Sequence, residues 1–297
     1  MIVSHLSLGV PGRALLAVAL LSALVAVVLA AWHHFTALAR ALWKRGERVR
    51  RGMLSSAPAQ RLRTRYPRAW RFVAARFAPG EYLGVHLTLG LLLAGAALLL
   101  FAAITENVVE RESLAQFDLR LAGAFHASTT RSGARIFGIV TEMGSGEAIL
   151  LVGIIVAGVL IVRRRGYLLA GWTAALVGAW VLNALLKVLV RRERPAFANQ
   201  WVTVHSFSFP SGHAMSSLVT YGMLAYVAVL ALHNRHARNV VLVFTTVLVL
   251  AIGLSRLYLG VHYFSDVIGG YAGGVVWLAA CISGTEIARR HARERSR

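Results

Sequence analysis

Seven apolar blocks of roughly 20 residues run along this chain, and that length constrains its fold more than any other feature. A helix rises about 1.5 Å per residue, so such a block crosses a hydrocarbon core about 30 Å thick. We place spans at 13–32, 83–104, 146–162, 167–189, 213–232, 240–258 and 266–285. The third is the shortest, and its start could lie earlier, near Ile136. With 57% hydrophobic residues and a mean hydropathy of +0.63, the chain does not read as a soluble domain. The expected fold is all-α, a polytopic membrane helical bundle.

A net charge of +20 would point to nucleic acid in a soluble protein. Here the positions of the cations give a simpler account, because Lys and Arg mark the cytoplasmic flanks of membrane spans. Segment 33–82 carries a dozen of them, among them Lys44, Arg45, Arg48, Arg50 and Arg51. Arg163, Arg164 and Arg165 fill one short turn, Arg235 and Arg238 flank another, and Arg289, Arg290, Arg293, Arg295 and Arg297 form a tail. All four groups fall on one side of a seven-span arrangement, while Glu106, Glu110, Glu112 and Asp118 fall on the other. The carboxyl terminus is therefore expected in the cytoplasm and the amino terminus outside. Ala30 and Ala31 after an apolar stretch also admit a cleaved signal peptide. Against cleavage stand the single leading cation, Arg13, and the basic stretch that removal would leave outside. Cys281 is the one cysteine, so no intramolecular disulfide can form.

Two longer pieces lie between spans. In 33–82, Leu62, Tyr66, Trp70, Val73 and Phe77 recur at helical spacing among arginines, the pattern of a helix on an anionic leaflet. Pro67 keeps a disordered basic linker open as the alternative. In 105–145, Leu114, Phe117, Leu121 and Phe125 form a stripe that either rests on the membrane boundary or packs on neighbouring spans.

Charges that persist near a bilayer need a reason, and three clusters stand near outer span ends. Lys187 lies seven residues before Arg194, so on a continuing helix both project from one face, and Pro195 then ends the helix. An ammonium and a guanidinium fork suit an oxyanion. Snorkelling is the bland alternative, and we assign it to Arg191 and Arg192. The second cluster is Phe209-Pro210-Ser211-Gly212-His213. Ser211 is a natural cap, Gly212 lets a phosphate approach the backbone, and a helix start favours anions. His213 is a candidate proton donor, and a plain helix start is the alternative. The third holds Ser255, Arg256, His262 and Asp266. Asp266 could take the hydrogen of one imidazole nitrogen and free the other to attack, or the pair could be structural. Together the clusters supply a nucleophile, its orienter, an acid and a cationic cradle facing one compartment.

The pattern Lys-x6-Arg-Pro, Pro-Ser-Gly-His, then Ser-Arg-x5-His-x3-Asp resembles the three-part signature of the type 2 phosphatidic acid phosphatase superfamily. Lys187, Arg194 and Pro195, Pro210 to His213, and Ser255, Arg256, His262 and Asp266 match it in order and spacing. The resemblance implies a six-helix core over 83–285; the N-terminal piece 1–82, with its additional span and basic segment 33–82, departs from the minimal form and is assigned no role by it, and 286–297 is a basic tail. It implies that His262 attacks phosphorus, Asp266 orients it and His213 protonates the departing oxygen. Lys187, Arg194, Ser211, Gly212 and Arg256 then hold the phosphate. The family works without a metal or other cofactor, and the sequence has no carboxylate cluster, Asp118 and Asp266 being its only aspartates.

The implied substrate is a lipid phosphate drawn from the surrounding membrane lipids, with no nucleic-acid partner. Undecaprenyl pyrophosphate ranks first because the site faces the outer side of a bacterial inner membrane. Phosphatidylglycerol phosphate, phosphatidic acid, lipid A and phosphate transfer to another lipid are alternatives. A transporter or binder of anionic lipid would use the same cations but leaves the two histidines and Asp266 without a task. Oligomeric state has no signal in the residues.

Overall fold

A computed structural model describes residues 87–110, 113–197, 204 and 206–294, with Arg45 and residues 64–67. The expected span at 13–32, nearly all of the basic segment 33–82, Glu112, Arg295 and Arg297 lie outside the described residues. Eight helices follow: α1 (Leu87–Glu110), α2 (Ser113–Ser128), α3 (Arg131–Glu142), α4 (Gly146–Val162), α5 (Gly166–Val190), α6 (Gly212–Ala231), α7 (Arg235–Tyr258) and α8 (Phe264–Glu294). Among the described residues six stretches are long and apolar enough to cross a membrane, one for each expected span from the second to the seventh.

The second of these stretches, at the third expected span, combines α3 and α4 and runs from Arg131 to Val162. Helix α4 alone has 17 residues, a rise of about 25 Å, which is short of a full crossing. Each half has its own cap: Thr130 Oγ1 accepts from Gly133 N at 3.0 Å, and Ser145 Oγ accepts from Ala148 N at 3.2 Å.

Helix α8 runs through the middle, packed on α1, α5 and α6, while α7 packs on α6 and α3. Contact this close between membrane helices requires small residues. A Cβ on Gly178 of α5 would stand 2.0 Å from the Trp277 ring, and one on Gly222 of α6 would stand 2.5 Å from Leu278. Trp172, Ala175, Ala179, Val219, Met223 and Cys281 fill the core between α5, α6 and α8. Indole N–H groups buried there find carbonyls, Trp172 at Gly153 and Trp277 at Ala175. Large apolar side chains such as Leu99, Val162, Trp180 and Leu189 point outward, as lipid contact demands.

Helix α2 carries the stripe at 114–125, whose ends pack inward while Phe117 stays half exposed. Leu114 joins the Ile104–Val108–Phe209 cluster and Phe125 packs on Phe137 and Tyr258. Asp118, on the same face, is fully buried. At the opposite end of the bundle, α8 continues past residue 285 to Glu294. There buried Glu286 accepts from Tyr226 Oη at 2.8 Å and pairs with Arg289 at 2.7 Å.

Candidate active site

The turn between α7 and α8 sets the site. Helix α7 ends in a Schellman arrangement: Val261 N–H reaches Arg256 O and Gly260 N–H reaches Leu257 O. Gly260 sits at φ +69°, the left-handed conformation this turn needs and a side chain resists. The chain thereby carries Arg256, on the last turn of α7, and His262, six residues later, into one space. His262 precedes α8, so the pairing with Asp266 does not arise from two positions on one helical face. Asp266 lies in the first turn of α8 and its Oδ2 accepts from Tyr263 N at 2.8 Å, the carboxylate half of a capping box. The same Oδ2 faces His262 Nδ1 at 3.2 Å and accepts from Ser208 Oγ.

Nδ1 of His262 thus serves Asp266, and Nε2 is the free nitrogen. Arg194 Nη1 donates toward Nε2 at 3.1 Å, a geometry that an unprotonated nitrogen accepts. Burial pushes the His262 pKa down to about 3, outweighing the opposing pull of the Asp266 hydrogen bond and charge. The imidazole is neutral at pH 7, the state a nucleophile requires.

Helix α5 ends sooner than Pro195 suggests. Arg191 takes the left-handed conformation at φ 51° and closes the helix at Val190. Lys187 and Arg194 therefore do not share a helical face, and they meet through the loop before α6 instead. Lys187 Nζ donates to Phe207 O at 2.7 Å and Ser206 Oγ at 3.2 Å, while Arg194 reaches Ser206 O at 2.6 Å and Phe207 O at 3.2 Å. Among the described residues no carboxylate stands within ion-pair distance of Lys187, Arg194 or Arg256. Arg256 donates from Nη1 to Thr141 Oγ1 at 2.8 Å, and its buried Nε has no partner among the described residues. Buried donors without acceptors are rare, and an anion would satisfy this one.

Ser211 caps α6, accepting from Ala214 N at 3.4 Å, and its backbone N–H donates to Asp266 O at 2.9 Å. That bond fixes the anion-favouring start of α6 against α8. Gly212 faces Asn183, whose Oδ1 would stand 3.1 Å from an added Cβ. His213 follows in the first turn, within electrostatic reach of Arg256, His262, Lys187 and Arg194. All eight expected site residues gather at this end of the bundle. A cavity of about 480 Å³ opens beside Lys187, Arg194 and Ser206, with Ala184, Val188, Val204 and Phe207 as its apolar wall.

Arg192 corrects the sequence reading. It does not snorkel: Nη1 donates to Asp266 Oδ1 at 2.6 Å and Nη2 to Asp118 Oδ2 at 2.7 Å, with the guanidinium 4.3 Å from the Tyr263 ring. Asp118, 74 residues earlier in the chain, is accordingly no surface acid of the outer side. Ser208 and Thr141 were also missed. For Asp118 a signal existed, since a lone charge on the apolar face of α2 demands a partner. Among the described residues no group of three or more His, Cys, Asp and Glu side chains is placed to hold a metal ion.

Comparison with known proteins adds to this geometry. Residues 150–290 match the PAP2 superfamily. The chain is 36% identical over 145 residues to phosphatidylglycerophosphatase B of Bacillus subtilis (strain 168), covering 46% of this chain and 68% of that protein. It is 37% identical over 139 residues to decaprenylphosphoryl-5-phosphoribose phosphatase of Mycobacterium tuberculosis (strain ATCC 25618 / H37Rv), covering 45% and 68%. A crystal structure of a transmembrane PAP2 type phosphatidylglycerolphosphate phosphatase from Bacillus subtilis superposes with a TM-score of 0.59 at 26% identity. The superposition covers 65% of this chain and 96% of that one.

Proposed function

The chain belongs to the PAP2 superfamily, in its membrane lipid phosphatase branch, and from that premise we propose that it hydrolyses a lipid phosphate through a phosphohistidine at His262. The observation that carries this reading is the orientation of His262, with Nδ1 on Asp266 and Nε2 toward Arg194. The Nε2 lone pair forms the N–P bond as the bond from phosphorus to the lipid oxygen breaks. His213 gives that oxygen its proton. Water then attacks phosphorus, His213 takes a proton from it, and the N–P bond breaks to release inorganic phosphate. Lys187, Arg194, Arg256 and the start of α6 stabilise the equatorial oxygens while phosphorus is five-coordinate. Residues 83–285 hold this machinery, with 1–82 and 286–297 as flanking segments.

The relatives favour phosphatidylglycerol phosphate as substrate, since two of the likenesses are to phosphatases of that lipid. Undecaprenyl pyrophosphate keeps a specific support: a relative is a decaprenylphosphoryl-5-phosphoribose phosphatase, and the charge asymmetry favours a site on the outer face of the inner membrane. The chemistry as written uses side chains alone. Purified protein in detergent with EDTA should release inorganic phosphate from a lipid panel. Brief reaction with labelled substrate, quenched in base, should trap an acid-labile phosphohistidine at residue 262. His262→Ala should lose both. Label on His213, or turnover that requires an added divalent ion, would overturn the mechanism.

A further inference from the structure

Two buried aspartates share one arginine beside the nucleophile. Asp118 and Asp266 are fully buried, and Arg192, with 13% of its side chain exposed, bridges them. Ser265 closes the ring: its N–H donates to Asp118 Oδ1 at 3.0 Å, its hydroxyl donates to Asp118 Oδ2, and it accepts from Arg192 Nη1 at 2.7 Å. Burial opposes the charge on Arg192, but Asp266 and Asp118 outweigh it and raise its pKa. The ring carries two negative charges and one positive, a net of −1. An arginine paired with Asp266 alone would neutralise the carboxylate that His262 depends on.

We propose that Asp118 is a positioning residue for the phosphatase reaction: by holding Arg192 between two carboxylates it leaves one negative charge uncompensated for the imidazolium that forms at His262. This rests on the reading of His262 as nucleophile. Attack by Nε2 turns a neutral imidazole into a cation, and the ring then becomes neutral overall. Asp118 touches neither phosphate nor His262 and acts through Arg192 and Asp266. The charged and titratable groups facing His262 are Asp266 from α8, Arg194 from the loop after α5, Arg256 from α7 and His213 from α6. Of these, Asp266 alone is negative, so its partial neutralisation decides the field at the imidazole.

The test uses the full chain in detergent with short-chain phosphatidic acid, reading kcat, KM and the acid limb of kcat against pH. Asp118→Asn makes the ring neutral, so kcat should fall at least about tenfold with KM within about twofold, and the acid limb should move to lower pH. Arg192→Gln gives a net of −2, and the limb should move to higher pH. The double variant returns the net to −1 and should bring the limb back, with kcat above that of Asp118→Asn. Arg191→Lys, outside the ring, should match the wild type. A packing role would produce additive losses with an unmoved limb, and that result overturns the inference. If Asp118→Asn does not fold, Arg192→Gln still decides: an acid limb that fails to rise in it overturns the inference. Phosphohistidine trapping on the wild type separates the two readings. Label at 262 with an unperturbed Asp118→Asn defeats this inference alone, whereas label elsewhere defeats the mechanism beneath it.

Discussion

His262 sits in the short loop between α7 and α8, and its burial has a consequence for pH. An ordinary histidine takes up its proton near 6.5, whereas burial holds this one near 3 against the pull of Asp266. Between those values the unfolded chain binds a proton that the native protein does not. Stability from this group is therefore complete above about 6.5 and declines as pH falls toward 3. The same depression keeps the nucleophile available in mild acid. We predict that kcat/KM, corrected for ionisation of the substrate phosphate, stays within about twofold between pH 7 and 5.5, since it reports the free enzyme. An acid limb near pH 6.5 would show that His262 titrates normally and that burial does not govern it. Replacement by Gln should also flatten the loss of thermal stability between pH 6.5 and 4.

At the scale of elements, catalytic geometry depends on where α6 meets α8. A Cβ on Gly270 would stand 2.7 Å from Ser211 O and 3.3 Å from Met215 N, both backbone atoms that cannot rotate away. Gly270→Ala should push the start of α6 off α8, strain the Ser211–Asp266 backbone bond and separate His213 from His262. Overpacking of this kind costs about 1–3 kcal/mol, so a lower unfolding midpoint in detergent and a fall in kcat/KM are expected together. Gly284→Ala on the same helix meets nothing within 4 Å and should change neither. A stable, fully active Gly270→Ala would show that this crossing does not set the site. Helix existence was legible in the sequence because the spans are long and apolar; helix ends were not. Pro195 suggested that α5 continues to Arg194, yet Arg191 closes it at Val190, and Lys187 and Arg194 converge through Ser206 and Phe207. The two side chains come together all the same, because the Ser206–Phe207 loop brings them together where a helix face was expected to. Arg192 was misread for a related reason. Beside a span end it looked like a cation reaching for water, and its partner Asp118 lies 74 residues away on a helix that had only an apolar stripe to identify it.

Across the whole molecule, the spans carry the site residues, Lys187, Arg194 and Arg256 among them, to one end and the basic turns to the other. The α4–α5 turn with Arg163, Arg164 and Arg165, the α6–α7 turn with Arg235, and the end of α8 with Arg289 and Arg290 lie at the end away from His262. This arrangement was readable in advance, because charge counts need only the order of spans and not their packing. What the counts could not foresee is that one acid of the supposed outer group, Asp118, is fully buried in the site. Positive flanks resist transfer across the membrane, and on that ground we propose that the basic turns lie in the cytoplasm and the site on the periplasmic or outer face. Ala127, exposed at the end of α2 near the site, and His236, exposed in the first turn of α7 at the other end, make suitable probes. With the buried Cys281 replaced by alanine, single cysteines at these positions should react differently toward an impermeant maleimide in right-side-out vesicles. Ala127→Cys should label at once and His236→Cys only after the membrane is opened. The reverse pattern would turn the molecule over. A site open to the cytoplasm would then favour a lipid phosphate made in the inner leaflet, and undecaprenyl pyrophosphate presented on the outer face would lose its support.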